Sequence, residues 1–280
     1  MIVDFMLIGA QKCGTTSLAQ QLATHPQICF SNPKEPEYFN TVSDWRSEIE
    51  RYHAMFQPEQ GQICGEASTL YTSLPAFRGT SERIYEYSPS MKLIYMMRNP
   101  VERIISNFTH DLVRSEIQGS PETAVFTDPG YVDRSRYAVQ IRPYLESFGR
   151  EQVLLLIFEE YVQDAAPVLD KIAEFIGVDR GLFASEQALH AHKSVGEVYL
   201  KHEALRSLVR TSAFENLRSY VPVSIRQPLR RALGRQMDEK PQFSLALRRD
   251  LWRFLEDDVR AIEELMGRRL DLWRDEEWTT

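Results

Sequence analysis

The feature that most constrains the fold is a strand–turn–helix pattern near the start of the chain. Residues 3–8 form a short apolar run that Gly9 closes, which is typical of a buried β-strand. Residues 15–24 place apolar side chains four positions apart and predict a helix. A glycine-containing turn between the two directs backbone N–H groups and the positive end of the helix dipole to one point. The pattern predicts a phosphate-binding loop over residues 9–17.

This turn matches the loop of nucleoside triphosphatases only in part. In G-x-x-x-x-G-K-[ST] the lysine directly follows the second glycine. Here Gly9 and Gly14 have the required spacing, but Thr15 stands in the lysine position and the lysine is Lys12. The loop therefore predicts a phosphate site but does not indicate a nucleoside triphosphate as its ligand. An ordinary strand-to-helix turn is the alternative interpretation.

Further apolar runs alternate with helical patterns along the chain. Three segments have the character of buried strands: a weak one at 62–64, and stronger ones at 92–97 and 153–158. Helices are predicted over 167–177 and 244–267, the second with an apolar stripe of Leu247, Leu251, Phe254, Ile262 and Leu265. Strands that alternate with helices predict an α/β fold, in which helices cover both faces of a central parallel sheet.

No linker rich in proline or glycine divides the sequence, so a single domain over residues 1–280 is predicted. Segment 201–236 holds eight Lys or Arg residues and two Glu. It is predicted to be a basic helical insert or a lid-like segment, and a solvated helical surface is the alternative to a patch for anions or a partner.

Composition excludes several classes of protein. Hydrophobic residues make up 43% and charged residues 26%, as in soluble globular proteins. A net charge of −7 argues against a dedicated nucleic-acid binder. Three cysteines are too few for a disulfide framework, and no run approaches the roughly 18 apolar residues of a membrane span. We expect a cytoplasmic protein with no transmembrane segment.

The strand at 92–97 ends in Arg98, where a triphosphatase has an Asp that holds Mg²⁺. Asn99 is suited to cap the following helix and Pro100 to begin it. Along that helix Ile104, Ile105, Phe108 and Leu112 share one face, and Arg103, Ser106 and His110 share the opposite face, which is the pattern of a solvated polar surface.

Arg98 also places a fixed cation at the carboxyl end of a strand beside the predicted phosphate loop. Ligands of doubly wound sheets bind at this edge. Two anion sites without a metal-binding Asp indicate a nucleotide that carries phosphate at both ends, and no metal site is predicted.

Three segments in this order resemble the sulfotransferases that use 3′-phosphoadenosine 5′-phosphosulfate (PAPS): Lys12–Leu18 (KCGTTSL), Lys34–Phe39 (KEPEYF) and Arg98–Ser106 (RNPVERIIS). The KEP segment places the chain nearer the glycan N- and O-sulfotransferases and their bacterial relatives. Gly65–Tyr71 and the closing segment Leu265–Trp273 also resemble that branch. The resemblance implies a fold like that of nucleotide kinases with a phosphate loop.

The resemblance also implies roles for individual residues. The 5′-phosphosulfate would be held by Lys12, Cys13, Gly14, Thr15, Thr16 and Ser17. Arg98 and Ser106 would hold the 3′-phosphate, and Lys193 falls where the family has a basic loop over the cofactor.

Catalytic roles follow from the chemistry of sulfuryl transfer, which depends on positioning and charge stabilisation. Lys12 would neutralise charge on the leaving phosphate, and Glu35 would act as the general base. His110 is a second candidate base. For Glu66 we expect a structural role.

The expected function is therefore sulfuryl transfer from PAPS to a hydroxyl or amine of a small-molecule or sugar acceptor, with the bisphosphate PAP as the product. The net acidic charge favours a small neutral or cationic acceptor. A small-molecule kinase and a non-catalytic protein that binds 3′,5′-bisphosphoadenosine are the alternatives. Oligomeric state and the choice between O- and N-transfer are left open.

Overall fold

A five-stranded parallel sheet forms the centre of the protein. The computed structural model describes residues 2–114, 120–184, 198–200, 234–236 and 241–279. The strands are β1 (Phe5–Gly9), β2 (Ile28–Phe30), β3 (Ile63–Ala67), β4 (Lys92–Met97) and β5 (Val153–Ile157). Their order across the sheet is β2-β3-β1-β4-β5, and every neighbouring pair is parallel. The predicted α/β class with a central parallel sheet is confirmed.

The described residues form eleven α-helices. They are α1 (Thr15–Leu22), α2 (Tyr38–Thr41), α3 (Ile49–His53), α4 (Thr80–Tyr87), α5 (Pro100–Arg114), α6 (Pro121–Thr127), α7 (Gly130–Asp133), α8 (Tyr137–Phe148), α9 (Phe158–Gln163), α10 (Ala165–Ile176) and α11 (Leu245–Met266). Two short 3₁₀ turns cover Thr69–Thr72 and Asp271–Trp273.

The sheet is buried on both faces because side chains alternate along each strand. In β1, Phe5 and Leu7 join an apolar cluster with α1 and α10. Met6 and Ile8 join the larger cluster that includes α5, α8 and α11. All five residues of β1 are buried, which explains its uninterrupted apolar sequence.

Most predicted elements are found close to their predicted bounds. Residues 92–97 form β4 as predicted, and α10 ends at Gly177 in the left-handed conformation expected of a helix C-cap. The strand predicted at 62–64 extends to Ala67. Glu66 interrupts the apolar run in sequence, although its side chain is buried in the fold.

The predicted apolar stripe of α11 is partly wrong. Phe254 is 64% exposed. The buried face of the helix instead includes Trp252, Leu255 and Val259. The helix begins as expected, because the Ser244 hydroxyl accepts a hydrogen bond from the N–H of Leu247 at 3.2 Å.

Only a small part of the basic segment 201–236 lies within the described residues. Gly234–Gln236 form a strand, β7, that pairs antiparallel with β6 (Val198–Leu200). These three residues are extended rather than helical, and 201–233 lie outside the described residues. None of the described helices combines the length and apolar character that a membrane crossing requires.

Candidate functional site

The loop between β1 and α1 requires glycine at both of its ends. Gly9 has a φ of 151°, and a Cβ there would lie 2.1 Å from Oγ1 of Thr72. Gly14 has a φ of 80°, and a Cβ there would lie 2.5 Å from the ring of Phe158. Lys12 also has a positive φ, of 70°. The backbone therefore turns sharply between β1 and α1, and it passes too close to Thr72 and Phe158 for a side chain at either glycine.

The first turn of α1 supplies the donors of the candidate phosphate site. The first N–H groups of a helix have no intrahelical partner and carry the positive end of its dipole. In α1 these groups belong to Thr15, Thr16 and Ser17. Lys12 is half-buried in the same loop. Backbone donors and a cation are thus concentrated at the carboxyl edge of the sheet.

Cys13 is a packed side chain within this loop. Its backbone N–H donates to the carbonyl of Ala10 at 3.2 Å, and its thiol lies 3.5 Å from the hydroxyl of Tyr137. Burial raises the pKa of the thiol to about 11. Burial therefore opposes any reactivity of the sulfur.

Lys34 joins the KEP segment to the phosphate loop. Its Nζ lies 2.7 Å from Oε1 of Glu35 and 3.4 Å from Oγ1 of Thr16. The candidate base is therefore held near the first turn of α1, and its side chain is 43% exposed. Lys34 was missed as a site residue, although its position directly before Glu35 was a usable signal.

Arg98 lies beside the same loop at the end of β4. Its guanidinium lies 5.1 Å from the ring centroid of Phe158, the ring that also contacts Gly14. Nη2 of Arg98 is 3.5 Å from a carboxylate oxygen of Glu102. Ser106 lies about two turns further along α5 and is half-buried. Phe158 therefore lies close both to Arg98 and to the phosphate loop.

The start of α5 matches the prediction. The Oδ1 of Asn99 accepts hydrogen bonds from the N–H groups of Val101 and Glu102 at 3.0 and 3.1 Å. Pro100 is the first residue of the helix. This cap fixes the direction in which α5 leaves Arg98.

The prediction of a solvated polar face is wrong for Arg103, which is completely buried. Its guanidinium lies beneath the phosphate loop, where Nε donates to the carbonyl of Gln11 at 3.1 Å. Helical periodicity separates polar from apolar positions but does not show what covers the polar face.

His110 is held by its neighbour Asp111. The imidazole Nδ1 lies 3.1 Å from Oδ1 of Asp111, and the hydroxyl of Tyr131 donates to Oδ2 at 2.7 Å. Burial acts to raise the pKa of Asp111, but the hydrogen bonds from His110 and Tyr131 outweigh it and lower that pKa. An ionised Asp111 favours a proton on Nδ1 and leaves Nε2 as the basic nitrogen.

Glu66 is a buried carboxylate surrounded by hydroxyl groups. Its Oε1 accepts from Tyr52 and Tyr71 at 2.8 and 2.9 Å, and its Oε2 accepts from Ser68 at 2.6 Å. Burial raises its pKa to about 7, against these hydrogen bonds.

Two of those hydroxyl groups in turn hold the segment that follows Glu35. The hydroxyl of Tyr71 accepts from the N–H of Tyr38 at 3.1 Å, and the hydroxyl of Ser68 accepts from the N–H of Glu37 at 3.0 Å. These contacts agree with the structural role expected for Glu66.

The buried carboxyl group should make stability depend on pH. Between the ordinary pKa of 4.5 and the folded pKa of about 7, the folded state keeps a proton on Glu66 that the unfolded state loses. The free energy of unfolding should therefore fall as pH rises through this range, by up to about 3 kcal/mol, and level off above it. Chemical denaturation of the wild type and Glu66→Gln at several pH values measures this difference. Parallel pH dependences in the two proteins would contradict it.

Several sequence expectations concern residues outside the described ranges. Lys193, predicted to close over the cofactor, is one of them. Within the described residues, no group of three or more His, Cys, Asp or Glu side chains is arranged to hold a metal ion.

Comparisons with known proteins show which proteins this chain resembles. The chain is 30% identical over 185 residues to heparan sulfate glucosamine 3-O-sulfotransferase 3A1 of Mus musculus, a match that covers 62% of this chain and 46% of that protein. It is 37% identical over 109 residues to the membrane-associated sulfotransferase kil1 of Dictyostelium discoideum, covering 38% and 22% respectively. The chain spans about half the length, or less, of these curated relatives.

A solved structure has the same fold. The crystal structure of a sulfotransferase from Alicyclobacillus acidocaldarius superposes with a TM-score of 0.71 at 24% identity, and covers 98% of this chain and 100% of that chain. A family model described as "Sulfotransferase domain" matches residues 3–262. The resemblance carried by the phosphate loop, the KEP segment and the Arg98–Ser106 segment is thereby confirmed: the chain belongs to the sulfotransferase-domain family.

Proposed function

We propose that this chain transfers the sulfuryl group of PAPS to a hydroxyl or amine of a small-molecule or sugar acceptor. The observation that carries this proposal is that Arg98 lies beside the loop at the start of α1, with Phe158 near both. The guanidinium of Arg98 lies 5.1 Å from the centroid of that ring, and a Cβ at Gly14 would lie 2.5 Å from it. The loop and Arg98 with Ser106 are the two proposed anion sites. A nucleotide with phosphate at both ends fits such a pair, and the family match supports the same donor.

The donor set suits this nucleotide. Helix N–H groups and Lys12 would hold the 5′ end, and Arg98 and Ser106 would hold the 3′-phosphate. When bound, PAPS supplies an activated sulfuryl group on its 5′-phosphate. At the position after β4 where a triphosphatase has the Asp that holds Mg²⁺, this chain has Arg98.

Different residues of the chain would then have different roles in the transfer. Glu35 takes the proton from the acceptor as the acceptor oxygen or nitrogen forms its bond to sulfur. Lys12 and the loop N–H groups stabilise the negative charge left on the phosphate oxygen as its bond to sulfur breaks. His110, oriented by Asp111, is the second candidate for the proton acceptor.

The acceptor is proposed from charge. The name of the Mus musculus relative refers to heparan sulfate glucosamine. The net charge of −7 here favours a smaller acceptor that is neutral or cationic. We also propose that the protein is cytoplasmic.

The test is incubation with isotopically labelled PAPS and a panel of small alcohols, phenols, amines and sugars, read by mass spectrometry. We expect a labelled, sulfated product and an equal amount of PAP. Phosphorylated products formed from ATP with Mg²⁺ would favour the kinase alternative. Tight PAP binding with no product from any acceptor class would favour the non-catalytic alternative.

Arg98→Ala and Ser106→Ala should weaken binding of PAP far more than binding of adenosine 5′-phosphate. Charge-assisted hydrogen bonds to phosphate contribute about 1.5–3 kcal/mol, which corresponds to a loss of roughly ten- to a hundredfold. Isothermal titration calorimetry with both nucleotides measures the difference. Equal losses for the two nucleotides would mean that these side chains contact something other than the 3′-phosphate.

Activity should not require a divalent metal ion. The reason is that Arg98 stands where a triphosphatase has the Asp that holds Mg²⁺, while Lys12 and the loop N–H groups supply positive charge at the 5′ end. Turnover in the presence of EDTA should equal turnover in untreated buffer. Loss of activity in EDTA, restored by added Mg²⁺, would overturn this expectation.

A further inference from the structure

Arg103 is a fully buried cation, and its hydrogen-bond partners in the described parts of the chain are all neutral. Nε donates to the carbonyl of Gln11 at 3.1 Å, and Nη1 donates to the carbonyl of Tyr131 at 2.8 Å and to the hydroxyl of Ser135 at 3.2 Å. Nη2 donates to Oδ1 of Asn107. A buried guanidinium normally has a carboxylate partner, because removing an unpaired charge from water is costly.

Within the part of the chain that the structure describes, no carboxylate forms an ion pair with Arg103. The carboxylate closest to it along the hydrogen-bond network is Asp111, which accepts from Nδ2 of Asn107 at 2.6 Å. The side chain of Asn107 therefore stands between the two charges. Burial lowers the pKa of Arg103, which is consistent with a charge that is not neutralised locally.

The position of this charge connects it to the phosphate loop. Gln11 directly precedes Lys12, and its side-chain Oε1 accepts from Nη1 of Arg134 at 3.2 Å. Two arginines thus hold Gln11, one by its backbone and one by its side chain. The charge of Arg103 also reaches Cys13, where it opposes the rise in pKa that burial causes.

We propose that Arg103 is a positioning residue for the phosphate loop. It fixes the loop through a hydrogen bond to the Gln11 carbonyl. Its positive charge, which no ion pair neutralises in the described parts of the chain, stabilises the 5′-phosphate of the bound nucleotide. The inference rests on the proposed function, since it assumes that the loop holds a 5′-phosphate. It assigns a role to a residue that touches neither the nucleotide nor the acceptor.

The test measures how strongly the protein prefers PAP over adenosine 3′-phosphate, which lacks the 5′-phosphate. Arg103→Met should lower this preference by about tenfold or more, and Arg103→Lys should lower it less because the charge is kept. Arg83→Met is the matched control, because Arg83 also donates to backbone carbonyls, those of Phe39 and Val42 at the end of α2. That variant should keep the wild-type preference.

A second variant tests the charge without removing the guanidinium. Asn107→Asp combined with Asp111→Asn exchanges an amide and a carboxylate and moves the negative charge about one helical turn closer to Arg103. The preference for PAP should fall in this double variant, and its thermal stability is checked separately.

The outcomes separate this inference from the proposed function. A wild-type protein with no preference for PAP over adenosine 3′-phosphate would mean that the proposed cofactor site is wrong. A wild-type preference that persists in Arg103→Met and in the double variant, with both folded, would overturn the role of Arg103. A loss of affinity that is equal for the two nucleotides would also overturn this role, because it would identify Arg103 as a purely structural residue.

Discussion

Glu35→Gln should lower turnover by about 10²–10⁴-fold, the usual contribution of a positioned acid–base group. The substitution keeps the shape of the side chain and an oxygen for the hydrogen bond from Lys34, but it removes the proton acceptor. PAP affinity should stay near that of the wild type, because the loop N–H groups, Lys12 and Arg98 are unchanged. Steady-state kinetics on an identified acceptor, with PAP affinity from calorimetry, measures both quantities.

Glu48→Gln is the matched control for this experiment. Glu48 is an exposed carboxylate that pairs with Arg51 at 3.0 Å, outside the candidate site. Its substitution should leave turnover unchanged. Near-wild-type turnover in Glu35→Gln, on an acceptor that must lose a proton, would return Glu35 to a structural role and make His110 the first candidate base.

Lys12→Met should reduce turnover by about 10²–10³-fold, as expected when a positioned group that stabilises charge in the transition state is removed. Because the charge on the phosphate oxygen grows as its bond to sulfur breaks, turnover should fall more than PAPS affinity does. Measuring turnover at saturating PAPS, with the dissociation constant of PAPS determined separately, distinguishes the two effects.

Lys171→Met is the control for this second variant, because Lys171 is an exposed residue of α10. It should behave as the wild type in both measurements. If Lys12→Met raised the dissociation constant of PAPS and left saturated turnover unchanged, Lys12 would be a binding residue without a role in the chemical step.

The parts of this site that could be predicted from the sequence are those set by local geometry. Gly9, Gly14 and the following helix form one continuous stretch, so the spacing of the glycines is enough to predict the turn. The same holds for Asn99 and Pro100, whose preference for a helix start depends on a few neighbouring atoms.

The parts that could not be predicted depend on contacts between distant segments. The sequence pattern predicts an exposed Arg103, because it does not show that α5 packs against the phosphate loop. Lys34 reaches Thr16, and the Glu66 network reaches the segment around Tyr38, only after the strands are ordered in the sheet. The strand Ile28–Phe30 was missed because three residues are too few for a periodic signal.

The error in α11 has a different cause. Periodicity assigns an apolar face but does not fix which part of a broad face meets the core. Leu247 and Leu251 were correctly placed, whereas Phe254 lies at the edge of the buried face and is exposed. Such edge positions are decided by the neighbouring helices, whose placement the sequence pattern does not give.

The central claim is that the phosphate loop and the Arg98–Ser106 pair hold the two ends of one nucleotide, with Glu35 facing its sulfuryl end. A crystal structure of the protein with PAP tests it most directly. We predict the 5′-phosphate on the N–H groups of residues 14–17 and Nζ of Lys12, and the 3′-phosphate on Arg98 and Ser106. A PAP molecule whose 3′-phosphate lies away from both residues, or whose 5′-phosphate lies outside the loop, would contradict the claim.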